Sequence, residues 1–394
     1  MNSVSAEPNL RFHFVTSIPS PYMIDFYNAL QLLIPDQFQV TFSAAQEIDR
    51  QYYRVPHHFD FSADILSHNV RVRGKDLHRN PGLWSALKKT PASTVIVSGN
   101  YFMPDARTAR MFCTRDRARF VFWGEHPFKK QEARWRRQLK SMYLRWFLRP
   151  ASAVIGIGQE ATDTYQRLSR QVSGTSIPYA PDLSSLLKPS KFLISQANKL
   201  RSQIVGERSS LILLYAGSLI PRKDPLTLLR AFSSLVREHN HVFLLIVGEG
   251  PLDSDLRRLV IRHDLQNHVE FAGFLSGRPL LAAYLASDIF VLPTKGHEGW
   301  GVVVQEAMAA GLPVVVSENV GAGKDLVSSG RNGSVFTPGS VSDLTDCLRN
   351  LVANRQQRLD FGRHARLVAA DTSAPNGAQN FLDFMAGIDG VSVR

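Results

Sequence analysis

The sequence predicts an α/β protein with two doubly wound parallel sheets. Apolar runs of strand length alternate with helical patterns in both halves of the chain, and this alternation is typical of parallel sheets that carry helices on their faces. The length of 394 residues is enough for two domains. We therefore expect domains at residues 1–190 and 205–374, followed by a helical tail at 375–394.

In the first half, the pattern begins close to the N-terminus. The expected strands are residues 11–16, 38–43, 94–98, 120–123 and 153–157, and the expected helices are 23–33, 84–89 and 159–168. Residues 46–79 are rich in Arg, His and aromatic side chains and give no clear pattern. Because ligands gather at the carboxyl ends of strands in open α/β sheets, His126, which follows the 120–123 strand, is placed at a favourable position.

The second half repeats the arrangement more clearly. Strands are expected at 211–216, 241–247 and 269–274, with a helix at 225–238. The segment 183–210 is polar and shows no strand pattern, so we expect the domain boundary there.

Basic residues are concentrated in the first half. The formal charge is +12, and residues 1–200 contain 27 Lys+Arg and 15 Asp+Glu, whereas residues 201–394 contain 19 of each. This asymmetry suggests an anionic partner for the first half. Nucleic acid, anionic lipid and a phosphate-bearing acceptor all stay open at this point.

The cysteines and the apolar runs bear on the compartment. Cys113 and Cys347 are the only cysteines, so no disulfide framework is indicated and a reducing compartment is expected. Residues 1–9 are polar, unlike a signal peptide, and no apolar run approaches the ~18 residues of a membrane span. We expect a cytoplasmic protein, and peripheral attachment to the inner face of the cell membrane stays open.

Residues 291–317 are the most informative stretch of the chain. They read VLPTKGHEGWGVVVQEAMAAGLPVVVS, which predicts a strand, a polar loop, a helix from Val302, a turn at Gly311 and another strand. The loop glycines would expose backbone N–H groups at a helix N-terminus, which favours phosphate. Glu298 and Glu306 flank this point; since carboxylates repel phosphate, they indicate hydroxyl groups on the same ligand. Phosphates and hydroxyls together indicate a sugar nucleotide.

This stretch resembles the E-x7-E signature of the retaining glycosyltransferases of family 4, which have the GT-B fold. The match runs through EGWGVVVQEAMAAGLPVVV and includes the strand, the glycines and the tail of the motif. The resemblance implies two Rossmann-like domains that face each other across a cleft, with the tail 375–394 crossing back to the first domain. It covers residues 211–350 well and the first domain loosely.

The resemblance implies roles for both acids and for the loop between them. Glu306 would hold the ribose hydroxyls, and Glu298 would hold hydroxyls of the transferred sugar. Backbone N–H groups of Gly299, Trp300 and Gly301 would hold the diphosphate or sugar hydroxyls. The alternative is that Glu306 is an exposed helix acid and Glu298 a capping acid; the context favours the functional roles.

A basic loop follows the strand at 211–216. Its sequence, AGSLIPRKD, is similar to the family's phosphate loop, in which Arg and Lys neutralise the donor diphosphate and the departing phosphate. A helix end alone contributes only ~0.3–2 kcal/mol towards an anion. Lys223 matches the family Lys, whereas Ser218 stands where the family has Arg, and Arg222 is the candidate to replace it. The alternative is that Arg222 and Lys223 are ordinary solvated residues.

Five further positions match the family more loosely. Gly248 belongs to a segment near the nucleotide, and Gly273, Phe274 and Leu275 would line the base through their backbone. His126 resembles the acceptor-side His, which holds a donor-sugar hydroxyl or stabilises charge near the anomeric carbon. A structural His is the alternative reading of that position.

No cofactor and no metal are expected. Residues 253–255 read DSD, which could be mistaken for a metal-binding D-x-D, but a helical pattern follows, so helix capping is the better interpretation. Enzymes of the family generally need no metal because Lys and helix ends supply the positive charge. The expected donor is a UDP- or GDP-sugar.

Residues 129–149 bear most directly on the partner. The sequence KKQEARWRRQLKSMYLRWFLR places aromatic and apolar residues at helical spacing among Arg and Lys, which is typical of an interfacial basic helix. An anionic membrane surface is therefore one candidate partner. The alternative is a core-facing helix whose basic side is solvated.

These observations predict transfer of a sugar, with retention, from a nucleotide-diphosphate sugar to an acceptor hydroxyl. A carbohydrate or lipid-linked acceptor is expected, in the synthesis of a bacterial cell-surface polysaccharide or glycolipid. One alternative is a GT-B nucleotide-sugar epimerase. Another is a basic protein that binds nucleic acid or membrane; no nucleic-acid-binding module is recognisable, so nucleic acid is not an expected partner.

Overall fold

The central strands of this protein are buried, and they belong to two parallel sheets. The computed structural model describes residues 11–46, 58–66, 69–72, 75–128, 132–206 and 210–389. Its contacts divide the chain into two units, residues 1–182 with 374–394 and residues 183–373. Strands such as Phe12–Thr16 and Leu211–Ala216 are buried at every residue, as expected where helices cover both faces of a parallel sheet.

The first unit alternates strands and helices. Its elements are β1 (Phe12–Thr16), α1 (Pro21–Leu33), β2 (Phe38–Phe42), β3 (Ala63–Ile65), β4 (Asn69–Val72), β5 (Lys75–His78), α2 (Leu83–Lys89), β6 (Thr94–Ser98), α3 (Pro104–Asp116), β7 (Arg119–Gly124), α4 (Arg134–Leu148), β8 (Ala151–Gly156), α5 (Gln159–Leu168) and β9 (Ser173–Ser176).

The strands of the first unit form a seven-stranded parallel sheet in the order β3-β2-β1-β6-β7-β8-β9. From β1 the chain moves outwards to β2 and β3, and it then continues on the other side of β1 with β6. The strand order reverses between β1 and β6, and open α/β sheets bind ligands at the carboxyl ends of strands near such a point. β4 and β5 pair separately as an antiparallel hairpin.

The second unit repeats the alternation with more helices. Its elements are α6 (Ser184–Leu187), α7 (Lys191–Val205), β10 (Leu211–Ala216), α8 (Pro225–Glu238), β11 (Val242–Val247), α9 (Asp253–Arg262), β12 (Val269–Gly273), α10 (Arg278–Ala286), β13 (Ile289–Leu292), α11 (Val302–Ala309), β14 (Val314–Ser317), α12 (Gly321–Leu326), β15 (Gly333–Phe336), α13 (Val341–Ala353) and α14 (Arg355–Asp371).

The sheet of the second unit has six parallel strands in the order β12-β11-β10-β13-β14-β15. The order reverses between β10 and β13. The loops that follow β10, β11, β12 and β13 emerge at one edge of the sheet. They contain every second-unit residue for which the sequence predicts a role, except Gly273, the last residue of β12, and Glu306 in α11. The fold class expected from the sequence, two Rossmann-like parallel-sheet domains, is confirmed.

The C-terminal helix α15 (Ala374–Asp389) is part of the first unit. Its Phe381 is fully buried, with its ring centroid 5.2 Å from that of Phe12 and 6.1 Å from the nearly parallel ring of Trp123. Aromatic contacts at these distances contribute beyond simple area burial. The last helix thus completes the core beside β1 and β7.

Several element boundaries agree with the sequence-based expectation to the residue. They are Thr94–Ser98, Gln159–Leu168, Leu211–Ala216 and Pro225–Glu238. The expected strand at 269–274 ends one residue earlier, at Gly273, whose φ of +67° ends the strand.

The structure adds helices and strands in two stretches that the sequence left without a pattern. The two units divide between residues 182 and 183, at the start of the segment 183–210 in which the boundary is expected. The helices α6 and α7 of this segment belong to the second unit, and Leu193 and Ala197 of α7 pack against Ala282 and Ala286 of α10. Residues 46–79, which give no clear pattern, include β3, β4 and β5, and 47–57, 67–68 and 73–74 lie outside the described residues. Across the helices that the structure describes, none is long and apolar enough to cross a membrane.

Candidate functional site

Three loops at the carboxyl edge of the second sheet are joined by backbone hydrogen bonds. The N–H of Gly217 donates to Val247 O (2.9 Å), that of Gly248 to Gly273 O (2.8 Å), and that of Leu219 to Glu249 O (2.8 Å). These bonds extend the contacts of β10, β11 and β12 beyond the strands. The basic loop after β10 is therefore held in a fixed position relative to its neighbours.

Gly248 is required at its position by close packing. Its φ is +139°, and a Cβ atom built there would lie 2.0 Å from the carbonyl oxygen of Gly217. No side chain fits at that distance, so the glycine lets the two loops touch. The sequence predicts that Gly248 lies near a nucleotide; the structure places it in the loop that supports the basic loop.

The segment Gly273, Phe274 and Leu275 follows β12 at the same edge. The N–H of Phe274 donates to Glu249 Oε1 at 3.3 Å, so this N–H is engaged within the protein. The Phe274 side chain is exposed, and that of Leu275 is half-buried. A base lying here would meet the exposed ring as well as the backbone that the sequence analysis proposed.

Glu298 lies between two cations. Its Oε2 atom is 2.5 Å from Lys223 Nζ and 2.7 Å from an Nη atom of Arg222. Lys223 is buried and Arg222 is more exposed. Burial alone raises the pKa of Glu298, but the charges and hydrogen bonds of Lys223 and Arg222 outweigh it and hold that pKa below its ordinary value. All three predicted residues are thus brought together.

Arg222 links the basic loop to the loop before α11 through its backbone as well. Its carbonyl accepts hydrogen bonds from the N–H groups of Lys295 and Gly296, both at 3.0 Å, and its guanidinium donates to His297 O at 3.1 Å. Ser218, which stands at the family's Arg position, is exposed. The structure therefore supports the expectation that Arg222 supplies the second cation of this loop.

The backbone around Glu298 is fixed on both sides. The Glu298 N–H donates to Asn319 O and the Gly321 N–H donates to Glu298 O, both at 3.1 Å. The Ala322 N–H then donates to Trp300 O at 2.9 Å. These bonds hold the loop against the start of α12, so the backbone that carries Glu298 is fixed close to Lys223 and Arg222.

Trp300 and Gly301 shape the entry into α11. The Trp300 side chain is buried and its indole N–H donates to Gln305 Oε1 at 2.7 Å, so only its backbone stays available as a predicted ligand contact. Gly301 is the N-cap residue of α11, with φ +96°. Glu298 is therefore not the capping acid of this helix, and that alternative is wrong.

Glu306 lies on α11 and is held by a tyrosine that the sequence analysis missed. The Tyr284 hydroxyl donates to Glu306 Oε2 at 2.7 Å. Tyr284 is fully buried, and burial followed by the charge of Glu306 raises its pKa well above the ordinary value. Tyr284 is thus a protonated donor at neutral pH. Glu306 is half-buried and oriented, unlike the exposed helix acid of the alternative reading.

A comparison with protein families shows which family this part of the chain resembles. Residues 197–368 match the family model described as glycosyl transferases group 1. The matched range is less than half of the 394 residues and lies within the second unit. Every predicted site residue of the second unit lies inside the matched range.

Curated relatives of this chain align over part of their length. A GDP-mannose-dependent alpha-(1-6)-phosphatidylinositol monomannoside mannosyltransferase from Mycobacterium tuberculosis is 33% identical over 192 residues, which are 47% of this chain and 49% of the relative. A sulfoquinovosyl transferase from Arabidopsis thaliana is 34% identical over 164 residues, 41% of this chain and 30% of the relative. The chain thus spans about half the length of such relatives, or less.

Solved structures show the same fold over nearly the whole chain. HepE from Anabaena, solved in complex with UDP, has a TM-score of 0.75 and 20% identity, and the alignment covers 96% of this chain and 100% of HepE. WaaG, described as a glycosyltransferase involved in lipopolysaccharide biosynthesis, has a TM-score of 0.66 and 16% identity, with 95% and 100% covered. Together with the two parallel sheets, this likeness identifies the fold as GT-B.

His126 lies in the first unit, two residues after β7. Its Nδ1 atom is 2.9 Å from Phe128 O, and its Nε2 atom is 3.9 Å from the Glu160 carboxylate. The neighbouring Glu125 accepts a hydrogen bond from the Tyr179 hydroxyl at 2.8 Å. These groups place polar chemistry at the carboxyl edge of the first sheet, as the sequence predicts.

The DSD segment, residues 253–255, has a structural role. Asp253 and Asp255 lie in the first turn of α9 and form ion pairs with Arg257 and Arg258. The N-cap residue is Leu252, so the expectation of capping by these acids is wrong. Over the described ranges, no group of three or more His, Cys, Asp or Glu side chains could hold a metal ion.

Tyr284 and Gln305 are the residues that sequence reasoning missed. Tyr284 is 22 positions from the Glu306 that it contacts, and Gln305 is five from Trp300. Gln305 stands directly before Glu306 in the motif, which was a usable signal. Tyr284 offered none, because its helix reads as an ordinary apolar segment.

Proposed function

We propose that this protein transfers a sugar, with retention at the anomeric carbon, from a nucleotide-diphosphate sugar to an acceptor hydroxyl. The observation that carries the proposal is the meeting of Lys223, Arg222 and Glu298 at the carboxyl edge of the second sheet. Two cations close to a helix N-terminus form a site for a diphosphate. A carboxylate at the same point can accept hydrogen bonds from sugar hydroxyls.

In this proposal the departing diphosphate is the main charge to be stabilised. The bond from the anomeric carbon to the phosphate oxygen breaks while the bond to the acceptor oxygen forms on the same face. The acceptor proton moves to the departing phosphate. Lys223 and Arg222 stabilise the negative charge that develops there, which is the largest electrostatic contribution in many enzymes.

Glu306 is proposed to hold the ribose of the donor. Tyr284 donates to its Oε2 atom at 2.7 Å, which restrains the carboxylate at the surface of α11. A UDP- or GDP-sugar is the proposed donor, since both contain a ribose and a diphosphate. The mannosyltransferase relative is named as GDP-mannose-dependent, and HepE has been solved with UDP and with UDP-glucose.

The acceptor is proposed to be a carbohydrate or a lipid-linked sugar, with His126 on the acceptor side. The names of the mannosyltransferase relative and of WaaG mention a phosphatidylinositol monomannoside and lipopolysaccharide biosynthesis. We therefore propose a role in the synthesis of a bacterial cell-surface polysaccharide or glycolipid. The proposed location is the cytoplasm, at the inner face of the membrane that would hold such an acceptor.

Transfer is proposed to be independent of a metal ion. The positive charge of Lys223 and Arg222, added to the N-terminus of α11, can replace a divalent cation beside the diphosphate. Activity that persists in EDTA would agree with this proposal, whereas loss of activity that Mg²⁺ or Mn²⁺ restores would contradict it.

The first experiment is a thermal-shift panel of UDP, GDP, ADP and their common sugars. A ligand at about 100 times its Kd adds about 2.7 kcal/mol to the free energy of unfolding. We expect one nucleotide series to raise the melting temperature of the wild type, and Glu306→Ala to weaken that rise. Glu270→Ala, which removes an exposed acid from the same unit, is the control and should respond like the wild type.

Two outcomes would count against the proposal. If no nucleotide raises the melting temperature, the donor site is wrong. If a nucleotide sugar binds but is released with altered configuration in the absence of any acceptor, the protein is an epimerase. Product analysis by NMR with the identified donor separates transfer from epimerisation and shows whether configuration is retained.

A further inference from the structure

Helix α4 exposes an apolar stripe to solvent. Its members are Trp135, Leu139, Met142 and Trp146, which are 57, 57, 67 and 46% exposed. Steps of four, three and four residues place them on one face of the helix. Large side chains arranged in this way are unusual on a surface and mark an interaction site.

The opposite side of the same helix already supplies the core contacts. Leu144, Phe147 and Leu148 are fully buried in the cluster beneath α4. The sequence left open whether this segment faces the core or an interface. The structure shows that one side of the helix packs into the core and that a second, apolar side is exposed to solvent. Residues 129–131 of the segment lie outside the described range.

The charges on α4 oppose its own helix dipole. Arg134, Arg136 and Arg137 occupy the first turn, which contains no acidic residue. The N-terminus of a helix carries partial positive charge, so cations there are unfavourable unless an anion lies nearby. Residues 101–150 contain thirteen basic and four acidic residues. An external anionic surface would satisfy this excess.

Neighbouring side chains extend the stripe and fix it. The exposed Phe102 ring stacks on Tyr143 of α4 at 4.8 Å between centroids. The guanidinium of Arg110 lies 4.1 Å from the centre of the Trp146 ring and donates to the carbonyls of Trp146 and Phe147. We call the stripe, Phe102 and the arginines around them the α4 face.

We propose that the α4 face binds the surface of an anionic lipid bilayer. The apolar side chains would enter the boundary between head groups and acyl chains, and the arginines would contact lipid phosphates. Tryptophan, present at both ends of the stripe, prefers that boundary. A bilayer of one charge sign suits a face on which nearly all charges are positive. The inference deepens the proposed location at a membrane and in that respect rests on the proposed function.

The test is co-sedimentation of the full chain with vesicles, in the absence of any nucleotide. One vesicle contains phosphatidylcholine alone and the other contains equal parts of phosphatidylcholine and phosphatidylglycerol. We expect binding to the anionic vesicle only, decreasing as salt is added. Because no donor or acceptor is present, failure here is distinguishable from failure of sugar transfer.

Two variants separate the contributions of the apolar stripe and of the charges. Leu139→Gln with Met142→Gln changes only exposed positions and should weaken binding at least about tenfold. Arg136→Gln with Arg145→Gln should weaken it by about fivefold per residue. The control is Leu367→Gln on α14, which is as exposed as Met142, at 67%, and it should bind like the wild type. Melting temperatures within error of the wild type show that each variant is folded.

Other outcomes overturn the proposal. Equal binding to both vesicles, no binding, or equal loss in the control variant would each do so. Vesicle-independent self-association of the wild type, abolished by the stripe variant, would show that the α4 face instead joins two copies of the chain. Sedimentation velocity without vesicles measures this directly.

Discussion

Tyr284 is expected to determine how well Glu306 recognises a ribose. The change Tyr284→Phe removes one hydroxyl and leaves the buried ring in place. The lost hydrogen bond, 2.7 Å long and made to a carboxylate, is of a kind that contributes about 1.5–3 kcal/mol. Since Glu306 is half-buried, water can replace part of that bond, and we expect a stability loss of about 1–2 kcal/mol.

The effect on the nucleotide follows from the freedom that Glu306 gains. Without Tyr284, the carboxylate can rotate away from the ribose, so binding has to order it again. We expect about tenfold weaker binding of the nucleotide, which corresponds to about 1.4 kcal/mol. Glu306→Ala, which removes both carboxylate oxygens, should cost more, about a hundredfold.

The assay is isothermal titration with the nucleotide identified in the thermal-shift panel and with its 2′-deoxy analogue. The wild type should prefer the ribose form, and Tyr284→Phe should reduce that preference. Tyr215→Phe is the matched control, because Tyr215 is also fully buried and its hydroxyl donates to Ser218 O at 2.9 Å in the basic loop. Its loss should affect both nucleotides equally.

The reasoning is refuted if Tyr284→Phe leaves the preference for ribose at the wild-type level. It is also refuted if Tyr215→Phe reduces that preference equally, because any buried tyrosine hydroxyl would then have the same effect. A stable Tyr284→Phe protein with unchanged affinity would show that Tyr284 is not needed to position Glu306 for the nucleotide.

Three further predictions concern packing, pH and the first unit. Gly248→Ala should lower the free energy of unfolding by about 2–4 kcal/mol, because the added Cβ atom would lie 2.0 Å from a backbone oxygen. Gly330→Ala is the control: Gly330 has a positive φ but open space around it, so the loss should be about 1–2 kcal/mol. Equal losses for the two variants in urea unfolding would contradict this prediction. In the folded protein the pKa of Glu298 lies below its ordinary value of 4.5. This shift stabilises the fold at pH values above 4.5, and the stabilisation is lost as the pH falls through the lowered pKa. The stability advantage of the wild type over Glu298→Gln should therefore shrink on acidification, and a constant difference between the two unfolding free energies would be inconsistent with this. His126→Ala should lower turnover without changing nucleotide affinity, and a changed affinity in titration would place this residue in the donor site.

Helices and strands in which apolar residues dominate could be predicted from the sequence, and those interrupted by charged residues could not. β10 and α8 were placed to the residue because LILLYA is a buried strand pattern and Pro225 marks a helix start. α3 was missed because Arg107 and Arg110 interrupt its buried positions Ala106, Ala109 and Phe112. In such helices the neighbouring elements decide the structure, and those neighbours are remote in the sequence.

The site divides in the same way. Glu298, Glu306 and Lys223 lie in contiguous motifs, so the sequence predicts a role for each of them. The contact of Arg222 with Glu298 joins positions 76 residues apart, and Tyr284 approaches Glu306 only because α10 packs in the same unit. Motif spacing carries no information about such contacts. They depend on the sheet order, which brings the ends of β10 and β13 together.

The cluster of Lys223, Arg222 and Glu298 also explains why the proposed transfer should move a proton to the departing phosphate. Two cations and one carboxylate leave one net positive charge, and the N-terminus of α11 adds about half a charge. A bound diphosphate ester brings two negative charges, which this environment nearly balances. When the bond to the sugar breaks, the diphosphate gains a third charge that the cluster has no further cation to offset. Accepting the proton of the acceptor hydroxyl removes that excess, so the charge balance itself favours attack from the face where the phosphate leaves.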